Sequence, residues 1–318
     1  MKVSVCMITY NQEIYIAQAI ESVMMQEADF DYELVIGEDC SIDKTREICM
    51  AYQAKYPDKI RLMLHEKNLG MMQNFVRTHH ACTGQYIALL DGDDYWTSPN
   101  KLAKQVDFLD HHSECAICFH NARVINEDGS RPPSNFCPPD QKKISNLQDL
   151  LLSNFVPTCS AMFRRSLFGK FPEWFSTLGL GDWPLHILNA QYGQVAYINE
   201  TLGVYRFHSG GWSAQSEIRN HKHTVRMFVV LESYLDPRYT RAVKEMAALY
   251  YFHLAELYER CGKLTEAKDY LKTSFITSPL NRNLVWHMWI RMLVRTYVPK
   301  LHRMIKDMAM FSRRHGGQ

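Results

Sequence analysis

Short apolar runs alternate with stretches of helical spacing through the first 120 residues. Lys2–Ile8 is a β-branched run, and Ile14–Met25 carries apolar residues three and four apart. Tyr32–Ile36 is a second run, closed by the turn Glu38-Asp39-Cys40-Ser41-Ile42-Asp43. A helix from about Lys44 to Lys55 stops before Pro57. Ile60–His65 is a third strand, Met72–Ala81 a helix, and Tyr86–Leu90 a fourth strand running into Asp91-Gly92-Asp93-Asp94. Strands alternating with helices of this length predict βαβ units, an α/β fold and a mostly parallel central sheet flanked by helices. In such sheets ligands bind beyond the carboxyl ends of the strands, which places the acidic loops 38–43 and 91–94 at the binding edge.

Residues 129–146, with Gly129, Pro132, Pro133, Pro138 and Pro139, read as a polar excursion. Strand-like Ser160–Phe163 follows, then a helix opened by Gly181-Asp182-Trp183-Pro184-Leu185. A strand at Val195–Ile198 leads to Tyr205-Arg206-Phe207-His208. From about Ser216 onward no strand pattern survives. Three regions are expected: an α/β domain over 1–215, a helical region over 216–281 and a basic tail over 282–318. Tyr251, Leu254, Ala255, Tyr258, Ala267, Leu271 and Pro279 fall at the spacing of one tetratricopeptide-like helix pair around Gly262. A single such pair cannot bury its own face and needs a neighbour.

Composition narrows the class. With 318 residues, 46% hydrophobic and 22% charged, the chain is neither disordered nor collagen-like. The net charge of +2 hides an asymmetry: from Arg282 onward there are eight Lys/Arg and one acid, against 28 and 33 before it. Trp286, Trp289, Met292, Leu293 and Val298 interleave with Arg291 and Arg295 there, and after Pro299 come Lys300, Arg303 and Lys306. This fits either an interfacial anchor on anionic lipid or a helix packed on the protein with a solvated basic face. Nine scattered cysteines and the lack of a secretory pattern at Met1 predict a reducing, cytoplasmic setting, peripheral at the inner face of the cell membrane if the tail anchors. The lone Cys115-Ala116-Ile117-Cys118 reads as structural. There is no Walker-type loop or dinucleotide fingerprint, and no nucleic-acid partner is expected.

The chemistry concentrates in three places. Asp91-Gly92-Asp93-Asp94 puts three carboxylates in four residues at the end of an apolar run. It is either an acidic surface turn or a repulsive cluster relieved by a hard cation such as Mg²⁺ or Mn²⁺. Gly92 would let a bulky ligand such as a diphosphate approach. In the loop after the second strand, Asp39 can accept an N–H from a flat base, while Ser41 or Asp43 can cap the next helix. Asp182 is either a base facing the ligand or a helix cap ahead of Pro184.

These residues carry a resemblance. Val3-Ser4-Val5-Cys6-Met7-Ile8-Thr9-Tyr10-Asn11, Glu38-Asp39-Cys40-Ser41, Asn68-Leu69-Gly70, Gly84-Gln85-Tyr86-Ile87-Ala88-Leu89-Leu90-Asp91-Gly92-Asp93-Asp94, Gly181-Asp182-Trp183 and Tyr205-Arg206-Phe207-His208 resemble, in order, the motifs of family 2 glycosyltransferases of bacterial surface-polysaccharide type. The resemblance covers roughly residues 1–215. It implies the GT-A fold, a nucleotide-sugar donor with UDP as the default, a divalent metal, inversion, and a glycan or lipid-linked glycan acceptor. By position it implies that Thr9, Tyr10, Asn11, Glu38, Asp39, Asn68, Gly70, Asp91, Gly92 and Arg206 bind the donor. Asp93, Asp94 and His208 would serve the metal and Asp182 would be the general base. Two departures stand out: Glu38-Asp39-Cys40 replaces an aspartate pair followed by glycine, and Gly181 precedes Asp182 where an acid is usual. A nucleotidyltransferase and a non-catalytic helical interaction module are the alternatives. Thr9-Tyr10-Asn11-Gln12, in place of a Gly-rich basic loop, argues against the first, and the intact acids argue against the second.

Overall fold

The computed structural model describes residues 1–211, 216–284 and 286–298. The chain divides into two units, Met1–Ala214 and Gln215–Gln318. In the first, β1 (Val3–Thr9), α1 (Ile16–Met24), β2 (Tyr32–Glu38), α2 (Thr45–Lys55), β3 (Ile60–Leu64), α3 (Met71–Ala81) and β4 (Tyr86–Leu89) follow the order that the apolar pattern predicts. These strands pair in parallel in the order β3-β2-β1-β4. β1 and β2 are buried on both faces, which is why each reads as a continuous apolar run rather than an alternating one. Ile16, Ala19, Ile20 and Val23 of α1 join Val3, Val5, Met7, Leu34 and Ile36 in the main core.

The second half of the sheet is mixed. It contains β5 (Tyr95–Trp96), α4 (Lys101–His111), β6 (Cys115–Asn126), β7 (Ser134–Asn135), β8 (Ile144–Ser145), α5 (Leu147–Leu152), β9 (Met162–Arg164), α6 (Asp182–Ala190) and β10 (Gln194–Phe207). β9 lies antiparallel between β4 and β6, while β10 runs parallel to β6 and antiparallel to β5. β10 is far longer than the Val195–Ile198 run. Register shifts between Ile198 and Gly203 carry the strand across the polar Asn199-Glu200-Thr201, so its distal end reaches the acidic loop. The Pro-rich segment is tied down at both ends, β7 to β6 and β8 to β10, and Cys137 within it is buried. Cys115 and Cys118 are interior residues of β6, and burial pushes the Cys118 thiol up to about 12.

The second unit holds α7 (Glu217–Tyr234), α8 (Thr240–Arg260), α9 (Leu264–Thr277) and α10 (Trp286–Tyr297). α8 and α9 form a hairpin turning at Gly262, whose φ of 74° lies in the left-handed region. Its two apolar faces are closed within the unit. Leu254, Tyr258 and Ala267 pack with Val225 of α7, and Phe252, Ala255 and Leu271 with Trp289 and Met292 of α10. Lys300, Arg303 and Lys306 of the expected tail lie outside the described residues. Among the described residues no helix is long and apolar enough to cross a membrane.

Candidate active site

A cleft of about 290 Å³ opens at the carboxyl ends of β1, β2 and β4. Two loops are stitched together along one wall. The Asn11 amide donates to Ser41 Oγ at 3.0 Å, the Gln12 amide to Thr45 Oγ1 at 2.7 Å and the Glu13 amide to Asp43 Oδ2 at 3.1 Å. In return Asn11 Oδ1 accepts from the Ile42 amide at 2.9 Å, and Asn11 sits at φ 53° to make this possible. Asn11 is therefore a strut between loops and is not among the residues lining the cleft. Asp43 Oδ1 accepts the Thr45 amide at 2.9 Å, an Asx turn one residue ahead of Lys44, the N-cap of α2, which has no side-chain cap bond of its own.

Thr9, Tyr10, Asp39, Asn68, Gly70, Asp91 and Asp93 do line it. Asp39 is almost fully buried, and its carboxylate accepts the Leu69 amide at 2.7 Å and the Gly70 amide at 2.9 Å. Gly70 has φ 83°, a conformation a side chain would strain, and this turns its N–H onto Asp39. The neighbouring Glu38 points elsewhere. It is fully buried in an ion pair with Arg46 Nε and accepts the Ser41 amide at 2.6 Å, so it braces the loop instead of facing a ligand. Cys40, where the family pattern has glycine, adopts φ 61°.

The acidic loop after β4 separates its three carboxylates. Asp91 and Asp93 face the cleft. Burial, reinforced by the negative charges of Asp93 and Asp182, pushes the Asp91 carboxyl up to about 8. Asp93 Oδ2 lies 3.1 Å from His208 Nε2. Asp94 turns inward, where Oδ1 accepts the Arg206 amide at 2.8 Å; burial first, then Asp93, raises its pKa well above the carboxylate range. It does not line the cleft and joins no ligand set with Asp93 and His208. The expectation for Gly92 is also revised. A Cβ there would lie 2.4 Å from Gln12 Oε1 and 2.9 Å from Thr9, so its missing side chain makes room for the β1 loop and not directly for a ligand.

Arg206 is likewise a structural clamp. Its guanidinium donates to the Asp93 carbonyl at 2.6 Å and to Gln18, pairs with Glu127 at 3.0 Å, and lies over the Tyr95 ring at 4.5 Å. With those donors committed and only the edge of the residue exposed, it fixes the Asp93 backbone. Asp182 opens α6, where its Oδ2 accepts Asn154 Nδ2 at 2.9 Å and Thr158 Oγ1 at 3.4 Å. Sequence reasoning missed Gln12, Met71, Asn74 and Gly210-Gly211 as cleft-lining residues. For Gly210-Gly211 a signal existed in the glycine pair just after His208.

A divalent cation fits this chemistry. Hard oxygen donors with one imidazole suit Mg²⁺ or Mn²⁺ completed by substrate oxygens, and Asp93 with His208 supply such a pair beside the repelled Asp91. Among the described residues no three His, Cys, Asp or Glu side chains converge on one point, so the protein would furnish only part of a coordination shell.

The family model for glycosyl transferase family 2 matches residues 4–170, more than half of the chain. This chain is a family 2 glycosyltransferase. An uncharacterized protein of Mycobacterium tuberculosis, Rv1520, is 40% identical over 238 residues, covering 73% of this chain and 68% of that protein. The structure of S. aureus TarS 1-349 in complex with UDP-GlcNAc superposes with a TM-score of 0.61 at 18% identity, covering 86% of this chain and 81% of that one. The mannosyltransferase PcManGT from Pyrobaculum calidifontis, in complex with GDP-Man and Mn²⁺, gives 0.59 at 16% identity, covering 94% and 87%. These likenesses identify the GT-A type of fold for the family 2 enzyme described here, with its helical C-terminal region. Family membership decides against both the nucleotidyltransferase and the non-catalytic readings.

Proposed function

We propose that the cleft binds a nucleoside-diphosphate sugar, with UDP as the nucleotide, and that the sugar passes with inversion to a hydroxyl of a surface glycan or lipid-linked glycan. In this reading Thr9, Tyr10 and Asn68 border the base and ribose. Asp39, held by the Leu69 and Gly70 amides, accepts an N–H from the base. Asp93 and His208 would hold Mg²⁺ or Mn²⁺, with Asp91 beside them on the cleft wall. The bound cation would act as a Lewis acid that offsets the charge left on the departing nucleoside diphosphate. Asp182, oriented by Asn154 and Thr158, takes the proton of the acceptor hydroxyl as it attacks. Attack from the side of the sugar opposite the diphosphate gives a single displacement and hence inversion. A cytoplasmic setting fits nine free cysteines.

One observation carries this reading. Asp91 and Asp93 both line the cleft at the carboxyl end of β4, and Asp93 Oδ2 lies 3.1 Å from His208 Nε2, delivered there just beyond the end of β10. Two carboxylates of one loop facing the same cleft repel one another unless a cation joins them. The ligands of the two structural relatives, UDP-GlcNAc in one and GDP-Man with Mn²⁺ in the other, support the donor class. The test is thermal stabilisation by UDP, GDP and dTDP, each with Mn²⁺ or with a chelator. The reading expects a rise in Tm with UDP and Mn²⁺ together that neither gives alone. Equal stabilisation in chelator would remove the metal from the scheme, and preference for GDP or dTDP would replace the nucleotide.

A further inference from the structure

Helix α10 carries two apolar faces, and among the described residues only one packs into an apolar core. Trp289, Met292 and Thr296 are buried, the first two against Phe252, Ala255 and Leu271. Trp286, Ile290, Leu293 and Tyr297 recur four, three and four residues apart, which stacks them into a single stripe along the helix. They are exposed by 64%, 58%, 45% and 51%. Four large side chains in one row exceed the scattered apolar exposure normal for a soluble surface. Ile276 and Leu280, at and just beyond the end of α9, are exposed by 66% and 77% in the same unit. The set therefore differs from the sequence expectation: Trp289 and Met292 belong to the interior, while Ile290 and Tyr297 face out.

We propose that this stripe docks on the surface of an anionic lipid bilayer. The charge beside it selects that occupant. Exposed His287 and Arg291 follow the stripe around the helix, whereas Arg295 is consumed by its ion pair with Glu259. The sequence that continues from α10, residues 299–318, adds Lys300, Arg303, Lys306, Arg313 and Arg314 against the single acid Asp307. An apolar row with aromatic ends and a basic margin matches the requirements of an interfacial helix, apolar atoms toward the acyl boundary and cations toward lipid phosphates. A second copy of the chain fits less well. An antiparallel two-fold contact through the stripe would set the basic margin of one copy against the same margin of the other. The inference stands apart from the donor chemistry, because none of these residues lines the cleft.

The experiment is sedimentation of the full chain with vesicles of phosphatidylglycerol and of phosphatidylcholine, at low and high salt. The expected result is at least tenfold greater binding to phosphatidylglycerol, weakened by salt. Joint replacement Trp286→Ser, Ile290→Ser and Leu293→Ser should remove it at least tenfold, with Tm and UDP stabilisation unchanged. Arg291→Glu should weaken it without abolishing the apolar term. Equal binding to both lipids, or full binding by the triple variant, would overturn the proposal. So would light scattering that shows a dimer for the natural chain and a monomer for the triple variant, since a second copy would then own the stripe.

Discussion

Asp93 Oδ2 and His208 Nε2 lie 3.1 Å apart although 115 residues separate them in the chain. Both are held from behind. Arg206, two residues before His208, donates its amide to Asp94 and its guanidinium to the Asp93 carbonyl, and the Tyr15 ring lies 4.7 Å from the imidazole. The end of β10 is thereby fastened to the acidic loop. The pair is presented as a unit, with neither side chain left to find the other.

The two adjacent aspartates should separate cleanly by mutation. Asp94→Ala leaves the buried Arg206 amide without an acceptor, which costs about 1–3 kcal/mol of stability, whereas Asp94→Asn keeps an acceptor oxygen and should cost less. Asp93→Asn should leave Tm in the absence of ligand nearly unchanged and lower Mn²⁺ affinity. Chemical denaturation paired with calorimetric Mn²⁺ titration reads both; equal losses of Mn²⁺ affinity in the two Asn variants would contradict the division of labour.

Asp182→Asn retains an oxygen for Asn154 and loses the basic site. Turnover should fall by roughly 10²–10⁴-fold while UDP affinity stays as in the natural enzyme. A variant that lost donor affinity in proportion to turnover would show that Asp182 serves binding.

Gly92→Ala places a Cβ 2.4 Å from Gln12 Oε1 and 2.9 Å from Thr9 Cβ. Displacing the β1 loop should cost about 1–3 kcal/mol and weaken UDP binding, because Thr9 and Gln12 both line the cleft. Truncating the obstruction with Gln12→Ala should recover part of the stability, measured as a double-mutant cycle.

Lys101 gives a pH-dependent prediction. Its side chain is fully buried, Nζ has no hydrogen-bond partner and lies 3.8 Å from the Trp96 ring centroid. Burial lowers its pKa from 10.5 to about 7, opposed by Cys118 and Cys159. The unfolded chain thus holds a proton that the fold releases. The resulting penalty is absent above about pH 10.5, grows as pH falls and is complete below about 7. Lys101→Met should therefore stabilise the protein by roughly 2–4 kcal/mol near pH 7, with the gain shrinking toward pH 10. Thermal unfolding across that range checks it; a gain that grew with pH would contradict the burial argument.

Much of this architecture was legible in the chain. Two-sided burial makes β1 and β2 continuous apolar runs, and acids beyond β2 and β4 had to meet once those strands paired with β1. Three things were not legible. Glu38 and Asp39 are adjacent carboxylates, and only the position of Arg46 in α2 and of the Leu69-Gly70 amides shows which braces the loop and which faces the cleft. Asp93 and Asp94 differ in the same way, decided by where β10 delivers the Arg206 amide. β10 itself was underread because its bulged polar centre, Asn199-Glu200-Thr201, breaks the local pattern while the pairing with β6 carries it through.

The most direct test of the central claim is calorimetric titration of UDP into the natural chain and into the Asp93→Asn, His208→Ala double variant, in Mn²⁺ and in chelator. The account predicts that the natural chain binds UDP at least tenfold more tightly with Mn²⁺ than without, and that the folded double variant binds weakly and equally in both. Metal-independent UDP binding by the natural chain, or a metal-dependent gain that survives in the double variant, would contradict it.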